Sequence, residues 1–236
     1  MSKLKETPIL FSTEMVQAII TGNKRQTRRT KGLELLNQRP KDFTHHGRVG
    51  ELWTFHDCTS SNTDNKIFQK IKCPYGKPGD LIWVRETYTY VLWDHAPDLL
   101  EGSRSNTQFV YKASVHEDWM EYAKEKYGYK WTPSIYMPKV ACRIWLEITD
   151  VRIERLRDIS EKDAISEGLQ IFRNFPWAPG KPFYKDYNDK GFSTAENPCY
   201  EDPIDSFESL WDSINGGGSF LKNPFVWVIS FKVVKK

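Results

Sequence analysis

The sequence predicts one mixed α+β domain, and three observations carry that prediction. Strand character is concentrated in Leu81–Tyr90, Val140–Leu156 and Phe225–Val233, with apolar residues recurring at alternate positions over much of these stretches. Short amphipathic patterns with capping residues lie between them, and none is long. Aromatic residues make up 14% of the 236 positions, a surplus that fits strands packed around a bulky core. That length suits one large domain or two small ones. No repeat or linker divides the chain, so residues 1–236 read as a single domain.

The elements follow in order. Pro8-Ile9-Leu10-Phe11 is a short strand. Ser12 or Thr13 then caps a helix over residues 13–21, whose apolar face is Met15, Val16, Ile19 and Ile20, and Gly22 stops it. Residues 32–75 are polar and irregular and read as an insertion. The turn Tyr75-Gly76-Lys77-Pro78-Gly79-Asp80 leads into the strand at Leu81. Residues 92–135 read as a second insertion with a short strand at Phe109–Ala113 and a short helix over 116–127. Val140–Leu156 fits one long bent strand or two, turning near Asp150. Ser160 caps the next helix, with Asp163 at the capping-box position and Gly168 at its end. Residues 172–203 lack periodicity and form the third insertion. Ser206–Ile214 is a helix closed by Asn215 and a glycine tract. Phe225–Val233 is a buried closing strand.

Composition excludes several classes. With 34 Lys+Arg against 31 Asp+Glu the chain is only mildly basic, so it is no polycation, although a nucleic-acid partner is permitted. The cysteines Cys58, Cys73, Cys142 and Cys199 are widely spaced without a Cys-x-x-Cys pair, which argues against a zinc site and against a disulfide framework. No metal and no cofactor is expected. The five histidines, His45, His46, His56, His95 and His116, have no ligand spacing and read as surface residues. The Met1–Glu6 segment lacks the apolar stretch of a signal peptide, and no apolar run approaches the roughly 18 residues that span a membrane. A soluble, cytoplasmic protein with no membrane partner is the expectation.

The segment after the first helix is the most informative. Asn23–Lys31 holds five cations and no acid, and it contains Gly22-x-Lys24-x-x-Thr27-x-Arg29. That motif, following a short strand and a helix, resembles the ASCH domains of the PUA-like superfamily. Lys77-Pro78-Gly79-Asp80 before the Trp83 strand resembles the family's Gly-Asp turn. Thr149-Asp150-Val151 through Glu167-Gly168 resembles its strand-then-helix segment, and Phe225–Phe231 its final strand. The match covers about half the chain, roughly 8–29, 76–90, 140–169 and 224–233. The Tyr75–Asp80 and Trp83–Thr87 stretches resemble longer members found in bacteriophages and prophages. The resemblance implies a PUA-like mixed β-barrel with short flanking helices, into which residues 32–75, 92–135 and 172–203 are inserted.

The residue types suggest a chemistry. Lys24 is a compact charge that can hold a phosphate or carbonyl, or serve as a base if burial lowers its pKa. Thr27 offers a hydroxyl nucleophile, Arg29 a planar fork, and Glu167 a carboxylate. Lys–Thr–Glu is a conceivable hydrolytic set. The resemblance sharpens this, because some small ASCH enzymes hydrolyse the amide of acetylated cytidine with a Lys, a Thr and a Glu. Lys24 and Thr27 match through the motif and Glu167 by its place in the post-strand helix. This chain is more than twice as long as those enzymes.

Competing readings stand beside these. The cationic run is otherwise a solvated turn, Thr27 a turn hydrogen bonder, Glu167 a surface residue at a helix end, and Glu86 a partner in a cross-strand ion pair. Trp145, Trp211 and Trp227 read as core, while Trp53, Trp93, Trp131 and Trp177 fall in irregular segments where one of them can stack a base. The leading expectation is a protein that binds RNA or a modified nucleotide or nucleoside, taking one base in the barrel pocket, with Gly22, Arg25, Arg28, Arg29, Arg85 and Glu86 as binding residues. The alternatives are a metal-independent amidohydrolase using Lys24, Thr27 and Glu167, and a phage accessory protein that mediates protein contacts. The oligomeric state stays open.

Overall fold

The computed structural model describes residues 4–59, 68–92, 95, 108–116, 118–173, 178–188 and 200–235. Its centre is a five-stranded sheet with strand order β1-β6-β9-β12-β2, comprising β1 (Glu6–Leu10), β2 (Gln26–Arg29), β6 (Leu81–Arg85), β9 (Trp145–Arg155) and β12 (Phe225–Val234). Only the β1–β6 pair is parallel; the other three pairs are antiparallel. The long β9–β12 ladder runs from Phe225 opposite Arg155 to Val234 opposite Trp145. It shifts register between Ser230 and Phe231, where β9 holds one extra residue at Thr149. The extra residue reverses the inward phase of β9, so Leu146 and Ile148 are buried before it and Val151 and Ile153 after it. The bend expected near Asp150 is therefore a bulge in one continuous strand.

The expected barrel does not form among the described residues. The sheet is open, with β1 and β2 as its edges. β2 is four residues long, and the backbone N–H groups just before it are spent elsewhere: Lys24 donates to Ala18 O and Arg25 to Ser166 O, both at 2.9 Å. The two edges are linked by a side chain, Arg29 Nη2 donating to Leu10 O at 2.8 Å. The coarser expectation, a mixed α+β architecture with short helices, is what the structure has.

Helix α1 (Thr13–Ile20) buries Met15, Val16, Ala18 and Ile19. Ser12 is its N-cap, the hydroxyl accepting from Met15 N–H. Gly22 follows the helix with positive φ. The turn at Gly76–Asp80 is locked by the buried Asp80 carboxylate, which accepts from the backbone N–H of Lys5 (3.1 Å) and of Lys77 (3.0 Å). A side chain at Gly76 would meet that carboxylate at 2.7 Å.

The described residues of 32–75 are largely regular. They form a short helix α2 (Glu34–Gln38) and a three-stranded antiparallel meander, β3 (Phe43–Val49), β4 (Leu52–Asp57) and β5 (Phe68–Lys72). Trp53 packs edge-on against Trp227, and Phe55 against Phe225, with ring centroids 5.9 and 5.3 Å apart. Trp53 is thus core rather than a stacking platform. His45, His46 and His56 lie on these strands, not in loops.

β7 (Tyr88–Tyr90) pairs with β8 (Phe109–Tyr111), which lies within 92–135, and α3 (Trp119–Tyr127) follows. There Trp131 packs with Trp119 beside Val91, Val110 and Ala123, so it too is a packing residue. Helix α4 (Glu161–Ser166) is capped by Ser160 as expected. The pair β10 (Ile171–Phe172) and β11 (Phe183–Tyr184) precedes α5 (Pro203–Asn215), which Asp202 caps. Trp145, Trp211 and Trp227 are buried, the last completely. No helix among the described residues is long and apolar enough to cross a membrane. Trp93, Trp177 and Cys199 lie outside the described residues.

The meander belongs to the main core, which sets a test. Phe55→Ala removes a fully buried ring and is expected to cost about 3–5 kcal/mol. Urea denaturation should show a single transition with a lowered midpoint. A change under about 1 kcal/mol, the range of an exposed substitution, would mean that the meander is an accessory layer.

Candidate functional site

Three chain segments build the site. The first is β2 with the residues leading into it. Gly22 turns the chain out of α1, and Lys24 then forms an isolated antiparallel bridge with Glu167. The second is the end of α4, where Glu167 is the C-cap residue and Gly168 follows with φ of +88°. A Cβ at Gly168 would come within 2.7 Å of Lys24 Cβ and 2.9 Å of Ala18 Cβ, so glycine is what lets this segment lie directly on β2 and α1. The third is α5, which contributes Phe207, Leu210 and Trp211.

The polar centre is a buried chain of alternating charge. Lys24 Nζ donates to Glu167 Oε2 at 2.8 Å and to Glu167 O at 2.6 Å. Arg28 Nη1 donates to Glu167 Oε1 at 2.9 Å, so both carboxylate oxygens are held by cations. Arg28 Nε reaches Glu154 Oε1 at 3.1 Å, and Nη2 lies 3.4 Å from Asp163 Oδ2. Arg152 closes the chain by donating to Glu154 and Asp163. Gln26 Nε2 adds bonds to Asp163 Oδ1 and Ser230 Oγ. Lys24, Arg28 and Glu167 are each at least 95% buried.

Burial shapes the titration of these groups. It pushes the Lys24 ammonium below its ordinary value, with Arg29 and Arg28 adding repulsion, against the pull of Glu167. Burial alone would raise the Glu167 carboxyl, but Lys24 and Arg28 hold it below the usual carboxylate range. Burial would likewise lower Arg28, yet Glu167 and Glu154 raise it. Arg29 is lowered by burial; it lies over the Phe11 ring, 5.1 Å from its centroid.

These groups border a cavity of about 510 Å³. Lys24, Thr27, Arg28, Arg29, Lys31 and Glu167 border it together with the rings of Phe11, Tyr75, Phe207 and Trp211. Because β2 is an edge strand, residues of both its faces reach the same cavity. The Thr27 hydroxyl has no hydrogen-bond partner among the described residues. Two buried donors on the border, Arg29 Nε and Trp211 Nε1, also lack an acceptor there. The arrangement can present cations and N–H donors to an acceptor-rich ligand while flat rings cover its apolar faces.

The structure thus brings Lys24, Thr27, Arg28, Arg29 and Glu167 to one place, and leaves other expected residues aside. Arg28 is spent on three carboxylates and has no free fork for a phosphate. Arg25 is exposed and turns back to Gly22 O at 3.1 Å. Arg85 donates to Ile135 O and lies over Trp83. Glu86 is buried in a two-point pair with Arg143, at 2.9 and 2.8 Å, and not with its neighbour Arg85. Neither Arg85 nor Glu86 borders the cavity, and Gly22 acts through the backbone.

Sequence reasoning missed Phe11, Tyr75 and Phe207, and read Trp211 as core only. The one usable signal was Phe207 and Trp211 at i,i+4 on a helix, which places them on one face. It also missed Glu154 and Asp163, the acidic partners of Arg28. Protein-family models, curated proteins and solved structures yielded no match to this chain when searched.

Glu167 gives a pH test. Its folded pKa lies below the ordinary 4.5, so the stability it contributes is full above pH 4.5 and is lost as pH falls through the folded value. Glu167→Gln leaves the buried Lys24 without an anionic partner and takes one of three carboxylates from Arg28, and should cost about 3–5 kcal/mol near pH 7. That cost should shrink in the acid range. Urea denaturation from pH 7 down to pH 3 checks this, and a pH-independent difference contradicts the assignment.

Proposed function

We propose that this cavity recognises a base of RNA or of a modified nucleotide or nucleoside, as an ASCH-type, PUA-like domain would. One observation carries the reading: a cavity of about 510 Å³ bordered by a buried Lys24–Glu167 pair, by the unpartnered donors Arg29 Nε and Trp211 Nε1, and by the rings of Phe11, Tyr75, Phe207 and Trp211. A nucleobase has the matching chemistry, with ring faces to stack and carbonyl and ring-nitrogen acceptors at its edge. The order of elements supports the family reading. The Gln26–Arg29 part of the motif pairs with the final strand, and the strand–helix segment ending in Glu167-Gly168 delivers its carboxylate to Lys24.

A second reading, amide hydrolysis of an acylated cytidine-like nucleoside, is favoured by Thr27. Its hydroxyl is unengaged, and it borders the same cavity as a lysine whose pKa burial lowers. In that reaction the Lys24 ammonium first passes a proton to the Glu167 carboxylate, and Thr27 Oγ then attacks the acyl carbonyl carbon while the neutral Lys24 amine takes the hydroxyl proton. The carbon–nitrogen bond breaks, with the proton passing to the departing amine. Water then cleaves the threonine ester, releasing the acid and restoring Thr27. Glu167 holds Lys24 in place and serves the proton transfers.

Two variants separate the readings. Lys24→Met keeps the apolar stem and should weaken nucleoside binding at least tenfold, measured by calorimetric titration with cytidine and acetylated cytidine. Thr27→Val keeps the shape and should leave binding within about threefold. Chromatography of acetylated cytidine incubated with the wild type then decides chemistry. Cytidine release that Thr27→Val abolishes establishes the hydrolase, whereas binding without release establishes the recognition module. Equal binding by wild type and Lys24→Met removes both.

A further inference from the structure

A second cavity, of about 350 Å³, lies where the β3–β5 meander meets the Gly76–Asp80 turn. Lys5, Arg48, Lys72 and Lys77 border it, and they come from four separate stretches: the segment before β1, β3, β5 and the turn. Two carboxylates face them. Asp80 is turned inward, both oxygens taken by backbone N–H groups. Glu51 is exposed, and each of its oxygens is held by an ammonium, Lys77 at 2.6 Å and Lys72 at 2.5 Å. Those two lysines draw its carboxyl down to about 2. Among the described residues bordering this cavity, Glu51 is the one carboxylate not held by backbone N–H groups.

The cavity adjoins the first one. Cys73 and Gly76 border the second and Tyr75 the first, so one strip of backbone separates them. Neighbouring Cα atoms along such a strip are about 3.8 Å apart.

We propose that the second cavity binds phosphate groups, with Lys5, Arg48, Lys72 and Lys77 as ligands and the Glu51 carboxylate as the internal anion that a phosphate displaces. Two sources share that chemistry: the backbone of a single strand whose base enters the first cavity, and a free polyphosphate. The strand source rests on the function proposed above; the phosphate site does not.

The test uses the full chain, with inorganic tripolyphosphate and a single-stranded RNA octamer as probes. The variants are Arg48→Gln with Lys72→Gln, both at exposed side chains, and Glu51→Gln. Tripolyphosphate should bind at least tenfold more weakly to the double variant and more tightly to Glu51→Gln, which removes the competing anion. A merely decorative surface salt bridge would not produce that opposite pair of changes. If the octamer also weakens about tenfold, and the slope of log affinity against log salt falls by about 1.4 for the two cations lost, the source is a strand. Cytidine binding should be unchanged in all variants. If tripolyphosphate responds and the octamer does not, the phosphate site stands and its source is a free polyphosphate, whatever becomes of the nucleoside reading. Tripolyphosphate binding that is absent, or equal across the variants, overturns the proposal.

Discussion

The rest of the site depends on the fact that Lys24 and Glu167 are charged, buried and inseparable. Either one alone beneath the surface would cost several kcal/mol in lost hydration, and each is tolerable because the other is within 2.8 Å. The two residues are 143 positions apart in the chain. Their pairing therefore fixes the end of α4 against the approach to β2 more tightly than apolar contact could, since an ion pair with further hydrogen bonds accepts little change in distance or angle. The carbonyl of Glu167 joins the same contact, and Gly168 leaves the space for it. Arg28 passes the constraint on to Glu154 and Asp163. Such a network has one satisfied arrangement, which holds the cavity wall in a defined shape.

The five cations of the Asn23–Lys31 segment look equivalent in sequence and meet quite different fates. Lys24 and Arg28 are neutralised by buried carboxylates. Arg29 is packed over Phe11, its charge directed to the Leu10 carbonyl. Arg25 and Lys31 stay exposed. A run of positive charge thus contributes little net field to its own cavity, where specific donors and aromatic faces matter more. The cations of the second cavity come from four separate stretches, and no local run announces them.

How much was legible follows from the range of each determinant. Capping of α1 by Ser12 and of α4 by Ser160, the stop at Gly22, and the strand character of β9 and β12 depend on residues within one turn or one pleat of each other. The meander β3–β5 was hidden because Thr44, His45, His46, Arg48 and Lys70 dilute its apolar alternation. Its inward residues Trp53 and Phe55 make sense only against Trp227 and Phe225. The openness of the sheet is likewise set by tertiary choices, namely where the N–H groups of Lys24 and Arg25 go. At the site, the Gly-x-Lys-x-x-Thr-x-Arg motif pointed to Lys24, Thr27 and Arg29. Glu167 was expected at the site, but the other two acidic partners of Arg28, Glu154 and Asp163, were unreadable, since they reach it from β9 across β12 and from α4. Glu86 is held in an ion pair, as its competing reading had it, but the partner, Arg143, could not be named from sequence because it lies 57 positions along the chain.

The place of β12 in the sheet has a consequence for how this chain comes into being. β12 lies between β9 and β2, and its residue Ser230 meets Gln26, 204 positions earlier. Until that strand emerges, β2 has no sheet partner, and β9 carries an open ladder along one side. A chain made vectorially at about 5–20 residues per second would carry those unpaired edges for several seconds or more. Closing so long a loop also comes late, because its entropy is spent before the contacts repay it. The nascent protein thus passes through a stage with exposed strand edges, the form most open to misassociation, and the last strand is the piece that ends it.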